Sequence, residues 1–186
     1  MTIKGPRAVL RLQNLTSIYG VTEACADVLN DERFPIWPAS VGFLRSGARK
    51  HHYRTGGLAE HTLQVVEAAL TMARHHRLDI DVMLIAAIWH DMGKMREYLK
   101  TGEDEWTRDP FAIRHIPAGM AAWDAQAAVP ESAPTYTTWR RVRHMIASHH
   151  GPVAWHSVEP PNCLEAVVLH HADMQSVLMD GSNPYL

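Results

Sequence analysis

Cysteine is scarce in this chain. Cys25 and Cys163 lie far apart and in no CxxC pair, which excludes a disulfide framework and a cysteine-based zinc site. No apolar run approaches the roughly 18 residues that a membrane-spanning helix needs, and the first residues do not read as a signal peptide. The expectation is a cytoplasmic protein with no membrane partner. Charge of one sign is also missing. Eighteen Lys and Arg stand against 20 Asp and Glu, a formal net of −2. No global field draws this chain to nucleic acid, so any phosphate binding must come from a local site. No strand pattern of length and no internal repeats appear either. At 186 residues the chain is expected to be one domain, 1–186, large enough for a substantial core.

What is plentiful is histidine, with 13 residues against nine Met, six Trp and five Tyr. Several fall inside helical patterns. Residues 1–6 read as a loose terminus. Val9 to Tyr19 suggest a short helix ended by Gly20, and Thr22 can cap a second through about Asn30. Phe34 to Ala39 is a proline-stiffened connector, followed by a basic, glycine-rich loop from Arg49 to Gly57. From Leu58 to His76 the apolar residues recur at three- and four-residue steps, and His61 sits on that same inward stripe. Asp79 or Asp81 opens the next helix, apolar on nearly every side and therefore central. His90 and Asp91 stand at its end, where Gly93 supplies the stop. Residues 99–110 read as a surface loop with a short extended piece near Trp106. Helices are expected from Ile113 to about Ala128, from Thr138 to His150, and from Asn162 onward, with a linker at 130–134. The fold class is all-α, a helical bundle.

The chemistry concentrates in His61, His90-Asp91, His115, His149-His150 and Asp173. Taken singly, each has an ordinary explanation as a satisfied core group or a helix-end imidazole. Together they are spaced about one helix and one loop apart, each near a helix end or on an inward face. A helical bundle assembles a metal centre in that way, with one or two ligands per helix. Seven such groups exceed one tetrahedral ion and suit two ions sharing a bridging carboxylate.

His61…His90-Asp91…Asp173, with the His-Asp-x-Gly-Lys form from His90 to Lys94, resembles the HD superfamily of metal-dependent phosphohydrolases. His115 and His149-His150 match the further histidines of its two-metal members. Trp37-Pro38-Ala39-Ser40, His51-His52, Gly56 to Thr62, Ile113 to Ile116, Met145 to Gly151 and Glu165 to Asp173 look like the HD domain of the YhaM-like 3′-to-5′ exoribonucleases. The likeness covers about residues 30–180. It implies an HD-domain bundle at 31–180, with 1–30 as a helical extension and a metal centre between the helices. Two departures stand out. Those exonucleases carry an oligonucleotide-binding β-barrel ahead of the HD domain, where only residues 1–30 precede it here. Ser176 stands near where they carry a second acid. The Gly-Tyr-Pro signature of cyclic-dinucleotide phosphodiesterases is also missing after His149-His150.

The resemblance implies one ion held by His61, His90, Asp91 and Asp173, and another by Asp91 with His115, His149 and His150. The ions would be Mn, Fe, Ni, Co, Zn or Mg, since such sites accept several. Divalent ions lower the pKa of water from about 16 toward about 7 and polarise phosphoryl oxygens. The expected activity is therefore hydrolysis of a nucleotide or short nucleic-acid phosphoester, most naturally a phosphodiester. Asp91 and Lys94 are the catalytic candidates, with Lys94 neutralising a phosphate oxygen. His51, His52 and Arg54 are candidate phosphate contacts beside Arg49. The alternatives are a nucleoside mono- or triphosphate phosphohydrolase, and a non-catalytic metal-stabilised nucleotide-binding module. His75-His76 and His156 are expected at the surface.

Overall fold

The computed structural model describes residues 4–42, 49–129 and 133–180. Parts of the expected terminus (1–3) and of the expected linker (130–132) lie outside them. The helices are α1 (Gly5–Ile18), α2 (Thr22–Leu29), α3 (Gly57–His76), α4 (Ile80–Trp89), α5 (Lys94–Glu97), α6 (His115–Ala127), α7 (Tyr136–Ser148) and α8 (Leu164–Met179). One antiparallel hairpin, β1 (Tyr98–Gly102) with β2 (Glu105–Arg108), interrupts them. The fold is helical as expected, and the extended piece near Trp106 is half of this hairpin.

α1 begins earlier than the expected loose terminus allowed. Pro6 lies in its first turn, where a missing N–H costs nothing because no intrahelical partner exists. Thr22 opens α2 but does not cap it, since Val21 holds the cap position without a side-chain bond. Asp79 does cap α4, accepting from the Val82 N–H at 3.2 Å.

α4 is the central rod. Every residue from Val82 to Trp89 is buried, and α2, α3, α7 and α8 all pack against it. Trp89 locks its end by donating to the Ala24 carbonyl at 2.8 Å, with its ring edge-on to Trp123. α3 packs lengthwise against α8, and α6 against α7. The start of α3, the ends of α4 and α7 and the middle of α8, which carry the histidines and acids, meet around one point.

Gly93 does not act as the expected left-handed stop. Its backbone is right-handed, φ −61° and ψ −18°, a conformation open to any residue. The reason for glycine is space. A Cβ there would lie 2.0 Å from the His115 carbonyl oxygen and 2.8 Å from the Gly119 nitrogen. The first turn of α6 rests directly on Gly93.

The segment ahead of α3 is pinned rather than a free surface loop. The Tyr53 hydroxyl donates to the Trp106 carbonyl at 3.1 Å and accepts from the Trp106 N–H at 3.2 Å. Gly56, at φ 77°, makes the left-handed entry into α3, a conformation that favours glycine. Arg54 forks onto Glu60, with Nη2–Oε2 at 2.7 Å, and reaches Asp180 at 3.1 Å. That clamp ties the start of α3 to the end of α8.

Candidate metal centre

His61 comes from α3, His90 and Asp91 from the turn after α4, His115 from the first turn of α6, His149 and His150 from the end of α7, and Asp173 from α8. His61, His90 and His149 are wholly buried; Asp91, His115 and Asp173 are nearly so. The structure brings all seven together. Asp91 lies between two sets. Its Oδ2 faces His61 Nε2 at 3.2 Å and His90 Nε2 at 3.3 Å, and Asp173 Oδ1 stands 3.1 Å from the same His61 nitrogen. Its Oδ1 faces His149 Nε2 at 3.6 Å and His115 Nε2 at 3.7 Å, with His150 Nε2 3.3 Å from that of His115.

The second nitrogen of each ring explains what the first must be. His90 Nδ1 donates to the Ala87 carbonyl at 2.7 Å, His149 Nδ1 to Ile146 at 2.8 Å and His150 Nδ1 to Trp155 at 3.1 Å. His115 Nδ1 donates to Glu97 Oε2 at 2.9 Å. His61 Nδ1 donates to Ser176 Oγ at 2.9 Å, because the serine proton goes on to Gln64 Oε1 at 2.7 Å. A neutral imidazole with its proton on Nδ1 has only a lone pair on Nε2. Five lone pairs thus converge on two carboxylates, acceptor against acceptor. Asp91 Oδ1 and His149 Nε2 are buried with no hydrogen-bond partner, an arrangement that costs free energy unless a cation lies between them. Donors about 2.1 Å from a common ion stand about 3–3.5 Å from one another, close to the spacings here. The residues fit divalent metal. His61, His90 and Asp173 form one trio of candidate donors, and His115, His149 and His150 another.

Burial pushes the His90, His115 and His150 imidazoles below their ordinary range, His150 to about 3. Burial also works against protonating His61, but the carboxylates of Asp173 and Asp91 outweigh it and raise its pKa. Desolvation opposes ionisation of Asp91, yet Lys94 and His90 beside it hold the carboxyl well below the usual range. The Lys94 ammonium sits 2.5 Å from Asp91 Oδ2. Despite its burial, that neighbour pushes it up to about 12, so it stays charged.

The proposed phosphate contacts behave differently from a basic surface edge. His52 is fully buried and lowered to about 2, and His51 to about 3, both chiefly by desolvation. They are neutral rings beside His61, with centroids 5.4 and 5.6 Å away. With His61 they form a third donor trio, but both nitrogens of His61 are already engaged, Nε2 facing Asp91 and Asp173 and Nδ1 donating to Ser176. Arg54 is directed to Glu60 and Asp180. His75, His76 and His156 are exposed, as expected.

Three supporting residues were given no role in the sequence reading. Glu97 is fully buried, accepts from both His115 Nδ1 and the His115 N–H, and is paired with Arg108 at 2.5 Å. Burial opposes its ionisation, but these partners lower it to about 2. Its signal was a lone acid three residues after Lys94, one helical turn beyond the motif. Ser176, taken only as a departure from a family pattern, orients His61. His170 Nδ1 donates to the His149 carbonyl at 2.9 Å. Outer partners of this kind typically contribute about 10–100-fold in metal affinity. Glu97→Gln is therefore expected to weaken binding of one ion about tenfold or more while leaving the fold intact, read by metal titration and far-ultraviolet circular dichroism.

Helices that aim buried imidazoles and carboxylates at a shared point define a metal-binding helical domain. The sequence agrees: residues 58–176 match the model of the HD domain, and the chain belongs to that family. HD domains bind divalent metals. Among similar proteins are those named 3′-5′ exoribonuclease YhaM. That of Bacillus velezensis is 29% identical over 139 residues, covering 73% of this chain and 44% of the relative. That of Bacillus subtilis is 29% identical over 129 residues, covering 69% and 40%. That of Geobacillus is 27% identical over 144 residues, covering 77% and 42%. The chain thus spans less than half the length of these relatives. No solved structure matches. Among the described residues no helix is long and apolar enough to cross a membrane. Family and donor clusters together support a metal-dependent hydrolase.

Proposed function

We propose that this chain hydrolyses phosphodiesters of nucleotides or short oligonucleotides in a nuclease-type reaction. The observation that carries the reading is Asp91, whose two oxygens face two separate sets of imidazoles. His61, His90, Asp91 and Asp173 would hold one divalent ion and Asp91, His115, His149 and His150 another, which would supply acidified water and charge neutralisation. The chain's own residues do the positioning. Lys94 keeps Asp91 ionised and lends a fixed positive charge to the cleft above, where non-bridging phosphate oxygens would lie. Glu97, Ser176 and the carbonyls of Ala87, Ile146 and Trp155 hold each ring with its lone pair inward. His51 adds a neutral ring to the cleft wall rather than charge, and the fully buried His52 packs behind it. The relatives' name speaks for an RNA end as substrate.

The test is hydrolysis of bis-p-nitrophenyl phosphate and of a short single-stranded RNA by protein stripped with chelator and reloaded with Mn, Fe, Co, Ni, Zn or Mg. Turnover of diesters that returns with metal is expected. Inorganic phosphate released from nucleoside monophosphates, with diesters untouched, would favour a nucleotidase. Silence with every ion, alongside tight nucleotide binding, would leave a non-catalytic module.

A further inference from the structure

The cleft over the two donor sets has walls of two kinds. His51, Lys94, His150 and Asp173 line its polar side, whereas Trp155, Met174 and Val177 line the other, enclosing about 220 Å³. The polar side is accounted for by the proposed chemistry, but the apolar side is not. Trp155 is 54% exposed and Met174 37% exposed, although a tryptophan is normally among the most buried side chains. Trp155 is also held firmly in that exposed position. It ends a single 3-10 turn, Val153–Trp155, whose last carbonyl accepts from His150 Nδ1 at 3.1 Å. Its indole lies against the His170 ring, centroids 6.0 Å apart. His170 in turn is fixed to the His149 carbonyl and fills the space over Gly151, where a Cβ would lie 2.7 Å from its ring. The indole is therefore indexed to the backbone of the His149-His150 pair, on the wall of this small cleft.

We infer that Trp155 is a base-stacking platform, holding the nucleobase of the nucleotide whose phosphate lies on the Lys94 and Asp173 side. This rests on the phosphodiesterase reading and narrows it to substrates with a base next to the scissile bond. An indole face accepts every base by stacking and gives little discrimination between them. Trp155 acts here as a positioning residue that touches the substrate away from the reacting atoms.

The experiment compares AMP, UMP and ribose 5-phosphate binding to metal-loaded protein by calorimetry, in wild type, Trp155→Ala and Trp155→Tyr. Metal content and hydrolysis of a phosphodiester are read on the same samples. Wild type is expected to bind both nucleotides about tenfold or more tightly than ribose 5-phosphate. Trp155→Ala should lose that gap with its metal content unchanged, and Trp155→Tyr should keep most of it. Equal affinities in wild type, or a gap undiminished in Trp155→Ala, would overturn the stacking role. If metal-dependent hydrolysis persists in that case, the failure belongs to Trp155 alone and the hydrolase reading stands.

Discussion

Asp91→Asn is expected to lose nearly all bound metal and all measurable phosphodiester hydrolysis. The side chain keeps its shape, but one of its two contact points becomes an NH₂ donor and the negative charge is gone. Both donor sets then lack their shared member. The drop in affinity should exceed the roughly 10–100-fold typical of removing an outer partner. A complication is Lys94, whose buried ammonium loses its counter-charge; an unpaired buried charge alone can unfold a protein. The companion variant Asp91→Asn with Lys94→Met removes both charges and separates the two effects. Metal analysis by mass spectrometry, with thermal unfolding, decides the outcome. A folded double variant that still carries two ions per chain would show that Asp91 does not link the sets.

The second large effect is expected at Gly93. In Gly93→Ala the new Cβ meets the backbone of α6, at the His115 carbonyl and the Gly119 nitrogen. Neither is the far end of a flexible side chain, so α6 must move. Overpacking typically costs about 1–3 kcal/mol and sometimes more, and this contact belongs at the upper end. A cost of about 3 kcal/mol would lower Tm by about 6–12 °C in a chain of this size. Because His115 moves with α6, metal should be lost preferentially from the His115, His149 and His150 side. Calorimetry and metal stoichiometry read both. An unchanged Tm would mean that α6 yields freely and that Gly93 is not a close-packing position.

These expectations differ in how much of them could be read from residues alone. The inward stripe of α3 and the all-round apolarity of α4 were plain, since burial writes a period into a helix. His61, His90, Asp91, His115, His149, His150 and Asp173 were legible because each recurs at a helix end or inward face. Taken singly each had an ordinary explanation; their joint spacing and the resemblance to the HD superfamily together pointed to one centre. Gly93 was identified for the wrong reason. A glycine after a helix suggests a left-handed stop, and nothing local reveals that a distant helix will rest on it. Glu97 was missed because its partner, His115, is 18 residues further on, across the hairpin. The Arg49–Gly57 stretch looked like a basic rim by composition. Burial of His51 and His52, and the clamp of Arg54 onto Glu60 and Asp180, are tertiary facts that composition does not carry.

The setting of α4 has a consequence for how such a protein can change. A rod hemmed in on all sides by α2, α3, α7 and α8 leaves His90 and Asp91 no freedom to drift, so substitutions near them are punished. The cleft's outer margin is built instead by His51 and Trp155, from connecting segments, and by Met174 and Val177 of α8. Variation in what the cleft holds is therefore expected at that margin, with His90 and Asp91 kept.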